Sequence, residues 1–305
     1  MRTNIFLIGI FLLGIPPHAF AAEQIRAVTT TSTIASLLKE VGSEQFDIHY
    51  VASPKRDVHF ISPTPKDVLR VKKAEVFVHN GLDLETWRDP LLVAAGNPDF
   101  LGGADRAIDL SAGISLLEVP QSISRAEGDI HLFGNPHYWM DPENAKIMMS
   151  TLAEKLSKLY PNEAENFKIR AETFNARLDQ KTKEWINRMS PFKGAAVIVY
   201  HRSWPYFTNR FGLSIVGEVE PRPGIPPTAK HLAELIQIVK EKNVRAIIRE
   251  PYNEEKTPRK LAEQTGIPVV LLVQNVGADA ESTDYISMIE RNIRASEDAF
   301  NAERI

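Results

Sequence analysis

The sequence contains no cysteine. Disulfides are thereby excluded, as are thiolate metal sites and a lipid anchor attached through cysteine. Histidine and carboxylate remain as the strong metal ligands. Net charge is also small, −3 over 305 residues. A nucleic-acid partner would favour a basic face, so none is expected. Beyond the first residues, no apolar run is long enough to span a bilayer. There is no glycine-rich phosphate loop, no Ser/His/Asp pattern on a nucleophile elbow and no His-x-x-x-His helical spacing. Phosphate-cradling, serine-hydrolase and helical zinc-protease signatures are therefore missing. Internal repeats and low-complexity tracts are absent too.

What is present is ordinary globular composition, 43% hydrophobic and 25% charged. The length suffices for two lobes of roughly 130 residues each. Residues Met1 to Ala21 have the form of a signal peptide. Arg2 gives a positive start, Ile5 to Pro16 a short uncharged apolar run, and Ala19-Phe20-Ala21 a cleavage signal. Cleavage before Ala22 and export to a bacterial periplasm are expected.

Strands and helices alternate along the remainder. Strands are expected at Ile25–Thr29, Phe46–Val51, Ala74–His79 and Ala107–Leu110, with helices from Thr31, Pro65 and Leu84 between them. Val119 to Gly134 is polar and irregular. Asp141 then caps a helix running to about Tyr160, with Pro142 in its first turn. From Asn162 to Met189, Phe167, Ala171, Phe174, Leu178, Trp185 and Met189 recur on one helical face. That single helix would span roughly 40 Å and could join two lobes. A second series follows, with strands at Ala195–Tyr200, Leu213–Val219, Val244–Arg249 and Pro268–Val273. The pattern predicts an α/β protein of two lobes, each a small parallel sheet flanked by helices. The expected division is 22–161, a linking helix over 162–190, and 191–305.

Three histidines sit on loops beside strand or helix ends: His59, His137 and His201. His137 lies in the turn Gly134-Asn135-Pro136, just before the capped helix. His201 directly follows one strand and Glu250 directly follows another. In open α/β sheets, ligands bind beyond the carboxyl ends of strands. Three imidazoles and a carboxylate from separate loops would suit a tetrahedral divalent ion, with zinc the default. More oxygen ligands would favour manganese. Trp139, Trp204 and Tyr206 would either shell such a site or serve as core.

Five segments carry a resemblance. They are Asp57-Val58-His59 through Lys66-Asp67-Val68, Asn80-Gly81-Leu82-Asp83-Leu84-Glu85 with Trp87, Asn135 through Pro142, His201 through Phe207, and Pro223-Gly224-Ile225-Pro226-Pro227. In this order the chain resembles the periplasmic metal-binding proteins of zinc and manganese ABC importers, over residues 25 to 301. The resemblance implies metal ligation by His59, His137 and His201, and delivery of Zn²⁺ or Mn²⁺ to a membrane permease by a monomeric receptor that turns over no chemistry.

The fourth ligand departs from the pattern. Many relatives supply an aspartate after the last strand, where this chain reads Leu271-Leu272-Val273-Gln274-Asn275-Val276-Gly277. Glu250 is the nearest carboxylate, either as ligand or as a partner behind a ligand imidazole. Asp279 lies further along, and water is a third option. Within the short segment Gln121 to Phe133, His131 is either a transient metal collector or a solvated loop histidine. A reading from a different class is a zinc hydrolase, with the same histidines and Glu250 as general base.

Overall fold

Residues 24–120, 131–222 and 224–302 are described by the computed structural model. The expected leader, Met1–Ala21, and most of Gln121–Phe133 lie outside them. The first lobe contains β1 (Ile25–Thr31), α1 (Ser32–Gly42), β2 (Phe46–Ala52), α2 (Pro65–Lys73), β3 (Val76–His79), α3 (Arg88–Ala95), β4 (Ala107–Asp109) and α4 (Pro142–Leu159). Then comes α5 (Ala164–Met189). The second lobe contains β5 (Ala196–Val199), α6 (Pro205–Phe211), β6 (Ser214–Glu218), α7 (Ala229–Lys242), β7 (Ala246–Arg249), α8 (Lys256–Thr265), β8 (Val269–Leu271) and α9 (Tyr285–Asn301).

Capping chemistry sets many of the helix starts. Thr31 accepts from the Ile34 amide, Asp141 from Glu143 and Thr228 from His231. Thr64 and Asp67 form a reciprocal capping box at α2. Apolar positions at helical spacing bury one face of α5: Phe167, Phe174, Leu178, Trp185 and Met189 are each at most 1% exposed.

Each sheet is parallel and four-stranded, in the order β2-β1-β3-β4 and β6-β5-β7-β8. The two orders are the same topology. In both, the crossover direction reverses beside the first strand of the lobe, which opens a crevice at the carboxyl edge. α5 joins the lobes and packs on α4, α1 and α9. One apolar core runs through both lobes and α5, including Phe77, Met148, Trp185, Trp204 and Tyr285. A smaller core lies on the outer side of the second sheet, around Ile198, Leu235 and Ile247.

Expected boundaries shift at α3, which begins at Arg88 rather than Leu84. Gly81, Leu82 and Asp83 all take left-handed backbone, with φ of 79°, 56° and 55°. Helix cannot propagate through them. A Cβ on Gly81 would stand 2.4 Å from an Asp109 carboxylate oxygen, so only glycine fits that turn.

Candidate metal centre

Each of the three histidines is delivered by a loop at a carboxyl edge. His59 follows β2 in the short turn Val58–Phe60, capped by Asp57. The Trp87 indole donates to the Val58 carbonyl at 2.7 Å and holds that turn. His201 follows β5, whose end is tied across the sheet by Tyr200 N–H to Ile248 O at 2.7 Å. His137 stands before the turn Tyr138–Met140 that leads into α4. Its loop is pinned by Asn80 after β3, which donates to Pro136 O at 2.9 Å and accepts from the Tyr138 hydroxyl at 2.6 Å. Asn80 is in turn fixed by the buried carboxyl of Glu85, which accepts from the Asn80 amide at 2.8 Å and from Thr30 at 2.6 Å. Burial pushes that carboxyl up to about 7.

The loops bring His59, His137 and His201 together. One ring nitrogen from each lies within 4.8 Å of the others. Ring centroids are 5.1 Å apart for His59 and His137, 5.5 Å for His59 and His201, and 5.9 Å for His137 and His201. Imidazoles on one tetrahedral zinc, with Zn–N of about 2.0–2.1 Å, would have centroids about 5 Å apart. The observed rings sit at or slightly outside that spacing.

Every one of these imidazoles is turned by an acceptor on Nδ1. His59 Nδ1 donates to Asp57 at 2.6 Å, and His201 Nδ1 to Glu220 at 2.9 Å. A carboxylate only accepts, so Nδ1 carries the proton and Nε2 keeps its lone pair. His137 Nδ1 donates to the Asn135 side-chain oxygen at 3.0 Å. The amide orientation of Asn135 follows from its other end, which donates to Glu118 at 3.0 Å and to Arg202 O at 2.8 Å. Such outer partners fix tautomer and direction in metal sites. The sequence signals them as Asp-x-His and Asn-x-His, since each short side chain also accepts the histidine's own amide. Glu220, just past β6, is findable only by the strand-end rule.

His137 Nε2 is fully buried and has no hydrogen-bond partner among the described residues. Buried polar atoms are almost always satisfied, so an orphan in a cluster of lone pairs points to an electrophile. Burial holds the His137 and His59 imidazoles below the ordinary value, assisted by neighbouring histidines. Burial acts the same way on His201, but the hydrogen bond to Glu220 and the charges of Glu250 and Asp57 outweigh it and raise its pKa.

Glu250 is completely buried behind this group and is not one of its members. One carboxyl oxygen accepts from the Trp204 indole at 2.9 Å and from Gln274 at 2.7 Å; the other is buried without a hydrogen-bond partner among the described residues. Burial raises its pKa to about 7, against the pull of His201. Asp279 is spent elsewhere, paired with Arg291 at 2.9 Å. Trp139, Trp204 and Tyr206 are all buried, and each bridges elements. The Trp139 indole donates to Gln274 O at 2.8 Å, and the Tyr206 hydroxyl to Asn135 O at 2.9 Å. His131 reaches the cluster as well, with Nε2 3.1 Å from His59 Nε2.

The profile of the family described as zinc-uptake complex component A, periplasmic, matches residues 27–299. The zinc-binding protein AdcA of Streptococcus pyogenes serotype M6 is 24% identical over 291 residues, covering 90% of this chain and 56% of AdcA. The chain thus spans little more than half the length of such relatives. Among solved structures, ZnuA aligns with a TM-score of 0.78 at 23% identity, covering 92% of this chain and all of ZnuA. The substrate-binding protein FpvC of Pseudomonas aeruginosa, in complex with Mn²⁺, aligns with a TM-score of 0.76 at 20% identity over 91% of this chain and 98% of FpvC.

Proposed function

Because this chain belongs to the periplasmic zinc-uptake complex component A family, we propose that it captures a divalent transition metal between its lobes and delivers it to the membrane permease of an ABC importer. His59, His137 and His201 are the ligands. Zinc is the preferred cargo, since imidazole nitrogen suits it better than it suits manganese. Glu250 supplies a buried carboxyl close to His201, its pKa raised by burial to about 7, which a bound dication would hold ionised. Low dielectric makes an uncompensated dication costly there, so a nearby anion is needed. On this reading the expected leader would be cleaved on export to the periplasm, and the receptor would act as a monomer.

The observation that carries this reading is the orphaned Nε2 of His137, buried among imidazoles whose Nδ1 protons are already committed. A hydrolase on the same residues would need an open coordination position and a free base. Here Glu250 is fully enclosed, with one oxygen bonded to Trp204 and Gln274 and the other buried away from solvent, where no substrate reaches it. Titration of metal-stripped protein against a chelating dye tests the function. One zinc per chain is expected, lost in His137→Ala, with no hydrolysis of ester, peptide or phosphate substrates by the zinc-loaded protein. Turnover of such a substrate that disappears on chelation would favour the hydrolase.

A further inference from the structure

His131 has the same construction as the three histidines of the cluster. Its Nδ1 donates to Asp83 Oδ1 at 3.0 Å, so Nε2 keeps the lone pair. That Nε2 faces His59 Nε2 across 3.1 Å. Since His59 Nδ1 donates to Asp57, both facing nitrogens are acceptors. Two lone pairs at that separation repel unless a proton or a metal ion lies between them. Tetrahedral zinc nitrogens stand about 3.3 Å apart, close to the spacing found. The ring centroid of His131 is 5.1 Å from that of His59 and 6.0 Å from that of His137. The first lies within the 5.1–5.9 Å spanned by the other three rings and the second just beyond it. His131 stands at the edge of the group whose ring nitrogens lie within 4.8 Å of one another and would have to move slightly inward to share its ion.

The arm that holds His131 is built for position. Asp83 Oδ2 accepts from the Leu132 amide at 3.0 Å while Oδ1 takes the imidazole, so one carboxylate fixes both backbone and ring. Asp83 and Leu82 both adopt left-handed backbone, with φ of 55° and 56°. Two consecutive non-glycine residues in that region are uncommon, and such strain concentrates at ligand clamps. A collector histidine exposed to solvent would need none of this. His131 has only 19% of its side chain exposed.

We propose that His131, positioned by Asp83, is a resident fourth ligand that completes an all-imidazole metal site. The inference rests on the metal-receptor reading above and deepens it. Charge balance then comes from one shell further out, where Asp57, Glu220 and Asp83 each back a ligand imidazole. Four nitrogens and no oxygen would favour zinc over manganese. Glu250 would remain uncoordinated.

The test compares parent, His131→Ala and Asp83→Asn, each checked for folding by circular dichroism. Zinc and Mn²⁺ affinities are measured by dye competition, and the zinc-edge absorption fine structure of the parent gives the number of coordinated imidazoles. Four imidazoles are expected in the parent. His131→Ala should weaken zinc by more than about 100-fold, beyond the usual loss for an outer partner, and weaken manganese less. Asp83→Asn should lose about 10- to 100-fold. A parent that binds one zinc through three imidazoles, or a His131→Ala protein that binds like the parent, overturns the inference and leaves the receptor reading standing. A parent that takes up no zinc overturns both.

Discussion

At the residue scale, the centre consists of imidazoles oriented from behind. Burial depresses His59 and His137, whereas Glu220 and Glu250 raise His201. A ligand must be neutral to bind, so protons compete hardest at His201. Zinc affinity is therefore expected to be flat at alkaline pH and to fall as pH drops through the His201 titration, which begins above roughly 6.5. Glu220→Gln removes the charge that raises His201, so its fall should begin at lower pH. Dye competition from about pH 8 to pH 5 reads both curves, and parallel curves would contradict the assignment. Glu250→Gln is nearly isosteric. It should weaken zinc by no more than about 10- to 100-fold, the range for outer partners, because Glu250 acts on His201 through its charge and not through a hydrogen bond. A larger loss, matching that of His137→Ala, would make Glu250 a direct ligand. The three histidines were legible because each follows a strand or precedes a capped helix. The fourth position was not. Strand-end logic pointed to Glu250, one oxygen of which the fold bonds to Trp204 and Gln274, while the proposed place of His131 depends on where a loop returns in space.

At the scale of elements, the strands and helices were legible almost throughout, because strong caps and clean periodicity agree. α5 is the clearest case, running Ala164–Met189 where periodicity gave Asn162–Met189. The miss at α3 has a local cause, since three successive left-handed residues after β3 carry no periodic signal. Those residues bring the Glu85 carboxyl back onto the Asn80 and Gly81 amides, and Asn80 in turn bonds the His137 loop. α5 also yields a stability prediction. Trp185 is fully buried, and its indole donates to Glu290 at 2.8 Å. Trp185→Ala should cost about 3–5 kcal/mol in denaturant unfolding. Ile186→Ala, next to it and 39% exposed, should stay within about 0.5 kcal/mol. Equal losses would mean that the buried face of α5 is not what holds the lobes.

At the scale of the molecule, the lobes are tied together in several places. Arg210 forms a paired ion contact with Asp141 at 2.7 and 2.9 Å, and the Tyr285 hydroxyl donates to Trp139 O at 2.6 Å. Arg202 of the second lobe bridges Glu118 of the first and Glu218 of its own. With one core running through both lobes, large hinge motion would break many contacts at once. Solution scattering with and without zinc should therefore give nearly the same radius of gyration, and a large change would contradict a rigid joining helix. The pairing of repeated sheet topologies was legible from alternating strands and helices. The bonds between lobes were not, because no sequence rule places Arg210 beside Asp141. The most direct measurement is anomalous diffraction at the zinc edge from crystals of protein purified without added metal. The expected result is one strong peak within bonding distance of His59, His137 and His201 Nε2. A peak elsewhere, or none while zinc is present in solution, would contradict the metal centre itself.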